Sequence, residues 1–210
     1  MELGELLVKA VRELRDRNCT FALAGGLVAS VYRTQTRTTT DADFLIYTED
    51  GSQQVAEEII KKFGFSVGRA TLAQLSKAPR MNKSSLPVLI LVGRDLSDSD
   101  SGLDFILPDM PWFEPALDRA QTNRLDFGFG PIPALTPEDI VISKVYAIQN
   151  DNSRYTDKSD IQQIFGSQQT LDLGYFAAEM DRLKLHLPKD LEGEAPKAIR
   201  VLSKRIRNKK

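Results

Sequence analysis

Residues 21–46, FALAGGLVASVYRTQTRTTTDADFLI, decide the fold that the sequence predicts. The stretch opens with a short apolar run, typical of a strand, which stops at Gly25 and Gly26. Apolar residues at helical spacing follow and predict a brief helix, and a Thr-rich segment then leads to a second apolar run that begins at Asp41. We therefore predict a strand–turn–helix–strand unit with acidic residues at the start of its second strand.

The elements outside this unit divide into a mixed half and a helical half. Thr136 followed by Pro137 predicts a helix start, because Thr is a good N-cap and Pro suits the first helical position. The other predicted elements are strands at 86–92 and 103–107 and helices at 3–14, 51–63, 112–121, 157–165, 172–184 and 196–207. This order predicts an α+β fold, with a mixed sheet flanked by helices over 1–133 and a helical C-terminal subdomain over 134–210.

The composition excludes several classes of protein. The chain has 28 basic and 29 acidic residues, so we expect no global field that would attract a polyanion. Its single cysteine, Cys19, excludes an intramolecular disulfide and a cysteine-rich zinc site, which suits a reducing cytoplasm. No apolar run approaches the roughly 20 residues that cross a bilayer, and the N-terminal segment resembles neither a signal nor a transit peptide. We predict a cytoplasmic protein without a membrane partner.

Asp41 and Asp43 are candidate metal ligands. Residues two apart in a strand point to the same side, so these two carboxylates project together. They repel each other unless a cation lies between them, and oxygen-only ligands favour Mg²⁺. Taken alone, an Asp-x-Asp sequence is more often a solvated strand end, so the hypothesis depends on what stands beside it.

Gly25 and Gly26 are candidate phosphate-binding residues. Glycine lets the backbone approach a phosphate closely, and the N-terminus of the following helix offers unpaired N–H groups. A double glycine by itself is usually only a turn. Beside paired carboxylates, a phosphate cradle provides what nucleotidyl transfer needs, namely charge neutralisation and an in-line geometry.

The order of these motifs resembles the signature of the DNA polymerase β-like nucleotidyltransferases. It is most similar to the branch that includes the abortive-infection-type toxin nucleotidyltransferases of bacteria. In that branch a double glycine, an R-x-[ST]-x-D-x-D segment and a later strand aspartate occur in this order. The matching residues are Gly25, Gly26, Arg37, Thr39, Asp41, Asp43 and Asp104. The resemblance extends over roughly residues 20–165 and implies a polymerase β-like core.

The resemblance implies roles for the matching residues. Asp104 becomes a third metal ligand or the base, and its alternative is an edge-strand or loop-end charge. Arg37 and Thr39 become nucleotide-binding residues, with Arg33 as a supporting phosphate contact. Arg37 has an alternative role as a structural partner of the carboxylates. The residue after the double glycine is Leu27, where many members of the superfamily have Ser or Thr.

Branch members also carry a helix with an internal lysine, then an arginine and a D-x-x-D helix start. The matching residues are Lys144, Arg154, Asp157 and Asp160. Lys144 could reach a triphosphate as a point charge, or it is a surface lysine on an amphipathic helix. Asp157 could be an N-cap and Asp160 a partner of Arg154 or Lys144, since residues three apart share a helix face. These groups would then support the site without touching the substrate.

The resemblance implies an activity and a set of partners. It predicts an enzyme that holds two Mg²⁺ ions at Asp41, Asp43 and Asp104 and moves a nucleoside monophosphate from an NTP to a hydroxyl. The acceptor is an RNA end such as tRNA, a protein or a small molecule. The protein could be the toxin of a toxin–antitoxin pair, with an antitoxin as partner. The alternative is a catalytically inactive nucleotide- or partner-binding module on the same fold.

Two basic clusters are possible RNA contacts. On the last predicted helix, basic residues form a stripe opposite an apolar face, which could follow an RNA backbone or could simply be a solvated terminal helix. That stripe comprises Arg200, Lys204 and Arg207. A second basic cluster comprises Lys77, Arg80 and Lys83.

Overall fold

A mixed sheet of five strands forms the centre of the protein. The computed structural model describes residues 2–71, 87–95, 102–167 and 170–209. The strands of the sheet are β1 (Thr20–Leu23), β2 (Asp41–Tyr47), β3 (Ser66–Thr71), β4 (Val88–Arg94) and β5 (Gly102–Ile106). They lie in the order β1-β2-β5-β4-β3, with β2 and β5 parallel and the other neighbours antiparallel. The parallel pair places the N-terminal ends of β2 and β5 side by side.

Helices and a small hairpin complete the described structure. The helices are α1 (Leu3–Asp16), α2 (Gly25–Tyr32), α3 (Ser52–Lys62), α4 (Phe113–Ala120), α5 (Pro137–Asn150), α6 (Tyr155–Phe165), α7 (Leu173–Arg182) and α8 (Lys197–Arg207), with a 3₁₀ turn at Lys189–Leu191. The hairpin pairs β6 (Arg124–Asp126) with β7 (Pro131–Pro133). Within the described ranges, no helix combines the length and the apolar character that a bilayer crossing requires.

The aromatic core explains why the acidic residues of β2 face away from it. Phe44 of β2 stacks on Phe105 of β5 with ring centroids 6.1 Å apart, and Phe21 of β1 meets Phe44 edge-on. Phe44 and Phe105 are fully buried. Because successive strand residues point to opposite faces, burying Phe44 on one face turns Asp43 to the other.

The residue before the N-cap of α5, Leu135, bonds the start of this helix to its neighbours. The Leu135 N–H donates to the Leu23 carbonyl of β1 (2.9 Å), and the Tyr32 hydroxyl of α2 donates to the Leu135 carbonyl (2.9 Å). The Thr136 side chain caps α5 by accepting from the Asp139 N–H, as the sequence predicts. These contacts hold α5 against β1 and α2. The division of the chain into 1–133 and 134–210 stays a prediction.

The predicted fold class is confirmed, with three differences in the elements. The sequence does not predict β3, whose segment SVGRAT contains Gly68 and Arg69 and lacks a continuous apolar face. Strand β4 continues past the predicted end at 92 to Arg94, because Arg94 pairs with Gly102 in the ladder with β5. Helix α2 begins at Gly25, so the glycine pair forms its first residues instead of a separate turn.

The basic stripe on α8 is partly neutralised by its surroundings. Ile199, Leu202 and Ile206 are buried, as the predicted amphipathic pattern requires. Arg207 forms an ion pair with Glu192 and donates to the Leu187 carbonyl (2.6 Å). An RNA contact at this helix stays a prediction. The cluster Lys77, Arg80 and Lys83 lies outside the described residues.

Candidate active site

The three aspartates lie on one face of the sheet, which we call the site face. Asp43 and Asp104 are direct partners in the parallel register of β2 and β5, so their side chains stand next to each other. Asp41 is the partner of Gly102, two residues earlier on both strands. The fold therefore brings together the three carboxylates that the sequence predicts as metal ligands, although Asp104 is more than fifty residues from the other two.

Gly25 is packed directly against the Asp43 side chain. Its φ angle is +64°, and a Cβ atom placed there would lie 2.8 Å from the Cβ of Asp43 and closer still to the carboxylate. The Ala24 N–H donates to the Asp43 carbonyl (2.8 Å), and the Gly26 N–H donates to the Asp43 side chain. The start of α2 and the carboxylate of β2 thus form one unit, which only glycine at position 25 permits.

Gly26 makes room for the segment before β2. A Cβ at Gly26 would lie 2.5 Å from Nη2 of Arg37 and 3.1 Å from Oγ1 of Thr39. These are the two residues that the sequence predicts as nucleotide contacts. Their side chains therefore border the start of α2, where the backbone N–H groups of a helix N-terminus attract anions.

The site face carries strong negative charge. Burial and the neighbouring carboxylates of Asp104 and Asp41 raise the pKa of Asp43 to about 7. Burial also raises the pKa of Asp104, although its pairing with Arg94 opposes this effect. A cation placed among these carboxylates would remove the repulsion, and this electrostatic demand is the physical signature of a cation site.

Arg94 is a charged residue of the site that sequence reasoning missed. It ends β4 on the site face and holds Asp104 with both guanidinium Nη atoms, the Nη2–Oδ2 distance being 3.1 Å. Its Nη2 atom is also 3.9 Å from Oδ2 of Asp41. The available signal was a lone arginine directly after the apolar run that precedes the strand of Asp104.

Gly102 is the second residue that sequence reasoning missed. In the strand register, Gly102 of β5 is the direct partner of Asp41 on β2 and of Arg94 on β4, so it lies between these two residues. A Cβ there would lie 2.5 Å from Nη1 of Arg94 and would overlap the Asp41 carboxylate. Both side chains lean over the space that this glycine leaves open.

Lys144, Asp157 and Asp160 form a buried charge cluster between α5 and α6. Lys144 Nζ lies 2.7 Å from Asp157 Oδ1 and 2.8 Å from Asp160 Oδ2, and Arg154 binds Asp157 from the surface. Burial alone would raise the pKa of Asp157, but Lys144 and Arg154 outweigh it and hold the pKa below its ordinary value. Lys144 is thus a buried, paired residue and not a surface lysine.

Asp160 also holds the segment that leads into β2. Arg33 binds its carboxylate, and Arg37 donates through Nε (3.0 Å) and Nη2 (3.1 Å). The Asp160 side chain has no exposed surface, and these cations together with Lys144 lower its pKa in spite of burial. Arg37 is therefore a structural partner of Asp160, not of the carboxylates of the site face.

The carboxylates of the site face and the charge cluster around Lys144 line the same cavity, which has a volume of about 680 Å³. Its walls include Gly25, Asp43, Asp104, Arg94, Lys144 and Arg154. Apolar groups such as Ile106 and Trp112 line another part of the wall. A cavity with a carboxylate group, cations and an apolar wall can accommodate an anionic ligand with a flat organic part.

The donor set suits a hard divalent cation. All the side chains on the site face that would bind one are carboxylates, and Mg²⁺ commonly uses one or two of these plus substrate phosphates. Over the described ranges, no three acidic, histidine or cysteine side chains converge as a ready-made ion cage. Asp104 is bonded to Arg94.

Comparison with protein families decides the identity. The chain matches the family described as nucleotidyl transferase AbiEii toxin, type IV toxin–antitoxin system, over residues 7–207. The chain belongs to the AbiEii family. It is therefore a nucleotidyltransferase by family, which implies an NTP substrate, and the resemblance stated from the motifs is confirmed. No protein of curated function matches this AbiEii-family chain significantly.

Several solved structures are similar to this AbiEii-family protein at low sequence identity. An antigenic nucleotidyltransferase-like protein from Paracoccidioides brasiliensis is 16% identical, with 90% of each chain covered and a TM-score of 0.48. The antibiotic-resistance factor ANT(2'')-Ia is 16% identical, with 100% of this chain and 94% of the other covered and a TM-score of 0.46. JHP933 from Helicobacter pylori is 13% identical, with 98% and 90% covered and a TM-score of 0.42.

Proposed function

We propose that the protein transfers a nucleoside monophosphate from an NTP to a hydroxyl group in a reaction that depends on Mg²⁺. One observation carries the proposal, namely that Gly25 at the start of α2 is packed on Asp43 while Asp43 stands beside Asp104. This arrangement puts an anion-binding helix start next to a cluster of carboxylates. Phosphoryl-transfer chemistry needs this pair of features, since it proceeds mainly by positioning and charge stabilisation.

Residues around α2 would bind the triphosphate. The charge cluster beside the cavity contains four cations, Arg33, Arg37, Lys144 and Arg154, against the two carboxylates of Asp157 and Asp160. It therefore has a net charge of +2, which offsets part of the negative charge that the carboxylates of the site face bring to the same cavity. Arg37 and Lys144 border the cavity and remain fixed by their carboxylate partners. Gly25, Gly26 and Thr39 would complete the phosphate contacts.

Asp41, Asp43 and Asp104 would hold the metal, as two Mg²⁺ ions. When bound, Mg²⁺ neutralises phosphate charge and lowers the pKa of the attacking hydroxyl. Asp104 would act there as a ligand or as the base for that hydroxyl. In an in-line attack, the acceptor hydroxyl would lie opposite the departing pyrophosphate.

The acceptor belongs to one of three classes, an RNA end such as tRNA, a protein or a small molecule. We further propose a toxin of the cytoplasm, where NTPs and Mg²⁺ are available, that is paired with an antitoxin. The catalytic core would occupy 1–133, and the helical part 134–210 would close the cavity through Lys144 and Asp157. An inactive nucleotide-binding module is the competing proposal, which an activity assay separates from ours.

Label transfer from α-labelled NTPs in the presence of Mg²⁺ tests the activity. Total tRNA, protein and aminoglycosides serve as acceptors, and Asp41→Asn/Asp43→Asn is compared with the surface variant Asp50→Asn. We expect label on one acceptor class, lost in the double variant and kept in Asp50→Asn. Transfer that survives in the double variant would refute the proposed site. NTP binding without transfer to any acceptor would favour the inactive module.

Growth on expression tests the toxin role. We expect arrest with the natural chain and normal growth with Asp43→Asn at equal protein levels. Arrest that persists with Asp43→Asn would show that the toxicity does not depend on this site.

A further inference from the structure

Arg94 lies beside two of the three carboxylates of the site face, those of Asp104 and Asp41. Its guanidinium group grips Asp104 through both Nη atoms and also lies 3.9 Å from Asp41. Asp41, Asp43 and Asp104 all contribute to the charge that raises the pKa of Arg94 above its ordinary value, after the direct hydrogen bond with Asp104. The side chain is 36% exposed, so it is anchored by charge and not by burial.

The sheet is built to admit this side chain. Arg94, Gly102 and Asp41 form one lateral row, and the missing side chain of Gly102 leaves the space into which the guanidinium group leans. The Gly93 carbonyl fixes the group further by accepting from Nη1 (2.8 Å). The conformation of Arg94 is therefore determined by contacts on three sides.

Lys144 does not replace Arg94 in this role. It also reduces the pKa of Asp43, but its ammonium group is bonded to Asp157 and Asp160 in the buried cluster. The cation that directly bonds a carboxylate of the site face is Arg94, in the part of the chain that the structure describes.

We propose that Arg94 is an internal counter-cation that competes with the divalent metal for Asp104. This inference rests on the proposed function, because it takes Asp104 as a metal ligand. Without metal, the guanidinium group holds the carboxylates together and limits their repulsion. On metal binding, Asp104 exchanges Arg94 for the ion, so part of the metal's binding free energy is used to break the bidentate pair.

Metal affinity in Arg94 variants tests the proposal. Mn²⁺ binding to the full chain is measured by electron paramagnetic resonance and Mg²⁺ binding by calorimetry, both without nucleotide. We expect Arg94→Ala to bind the ion about tenfold more tightly, the worth of a charge-assisted bond at a partly exposed site. Arg94→Lys keeps the charge without the bidentate geometry, so it should bind about threefold more tightly.

Thermal unfolding provides a second readout that does not depend on activity. Arg94→Ala should have a lower Tm than the natural chain in EDTA and a larger rise in Tm on adding Mg²⁺, because the ion then replaces the missing cation. Arg69→Ala is the matched control. Arg69 lies on the neighbouring strand β3 and forms an ion pair with Glu57 away from the site face, so its loss should leave the metal affinity unchanged.

Each other outcome is decisive. Equal or weaker metal binding by Arg94→Ala would overturn the inference and would show that Arg94 orients Asp104 for the metal. If Arg94→Ala binds the metal more tightly but Arg94→Lys binds it with the natural affinity, only the positive charge at position 94 matters. That result would also overturn the inference that Arg94 competes through its bidentate pair with Asp104. If neither the natural chain nor any Arg94 variant binds metal, the proposed metal site itself has failed.

Discussion

Replacing Gly25 by Ala tests the contact that joins α2 to Asp43. The φ angle of +64° costs an alanine about 1–2 kcal/mol. The new Cβ would also overlap the Asp43 carboxylate, so Asp43 must leave its rotamer, at about 1 kcal/mol, and give up its bond from the Gly26 N–H, at about 1.5–3 kcal/mol. We expect a total destabilisation of about 4 kcal/mol and loss of nucleotidyl transfer.

Gly64→Ala is the matched control for this substitution. Gly64 has a φ angle of +77°, and a Cβ there would meet nothing within 4 Å. It should therefore cost only the backbone strain, about 1–2 kcal/mol, and preserve activity. The difference between the two variants isolates the clash with Asp43.

Urea unfolding with a constant m-value, followed by the transfer assay, measures both effects. A double-mutant cycle with Asp43→Ala should show a coupling of about 1–2 kcal/mol, because most of the clash disappears with the carboxylate. Equal destabilisation by Gly25→Ala and Gly64→Ala, with activity kept in both, would refute the reasoning that places the start of α2 against Asp43.

Further predictions concern the charge cluster, pH and the cap of α5. Asp160→Asn should lower the free energy of unfolding by about 3 kcal/mol, because it leaves buried cations without a partner, whereas exposed Asp190→Asn should cost under about 0.5 kcal/mol in the same urea titration. In EDTA, the free energy of unfolding should fall as pH rises from about 4 to about 7, because the folded state raises the pKa of Asp43 and so binds its proton more tightly than the unfolded state does. Asp43→Asn should make the urea midpoint depend less on pH over this range. An unchanged dependence would contradict the assignment to Asp43. Thr136→Ala should cost about 1 kcal/mol in calorimetry by removing the N-cap, and a neutral result would mean that the cap is dispensable.

The arrangement of Asp160 shows where sequence reasoning reaches its limit. The spacing of Asp157 and Asp160 correctly predicts that they share a face of α6, and Lys144 is among the partners named for Asp160. The contacts of Asp160 with Arg33 and Arg37 span more than 120 residues and depend on how α6 packs beside α2. The pattern of residues within one segment does not show which residues more than 120 positions away will contact it.

The site face shows the same limit for strands. Alternation along β2 predicts that Asp41 and Asp43 project together, which needs only the local geometry of one strand. The position of Arg94 beside Asp104 requires the register between β4 and β5, and a shift of one residue would turn it to the other face. The motifs of the family resemblance include Asp104, but none of them includes a residue that corresponds to Arg94.

The sequence by itself determined most of the elements, the glycine pair, the aspartate pair and the cap at Thr136, because each depends on residues a few positions apart. The tertiary structure alone decided which charges meet. It places Arg94 over the space left by Gly102, adds β3 to the sheet edge and gathers three cations around Asp160. The physical reason is that strand register and helix packing are set by burial across the whole core, and charged groups separated along the chain pair only after that core has formed.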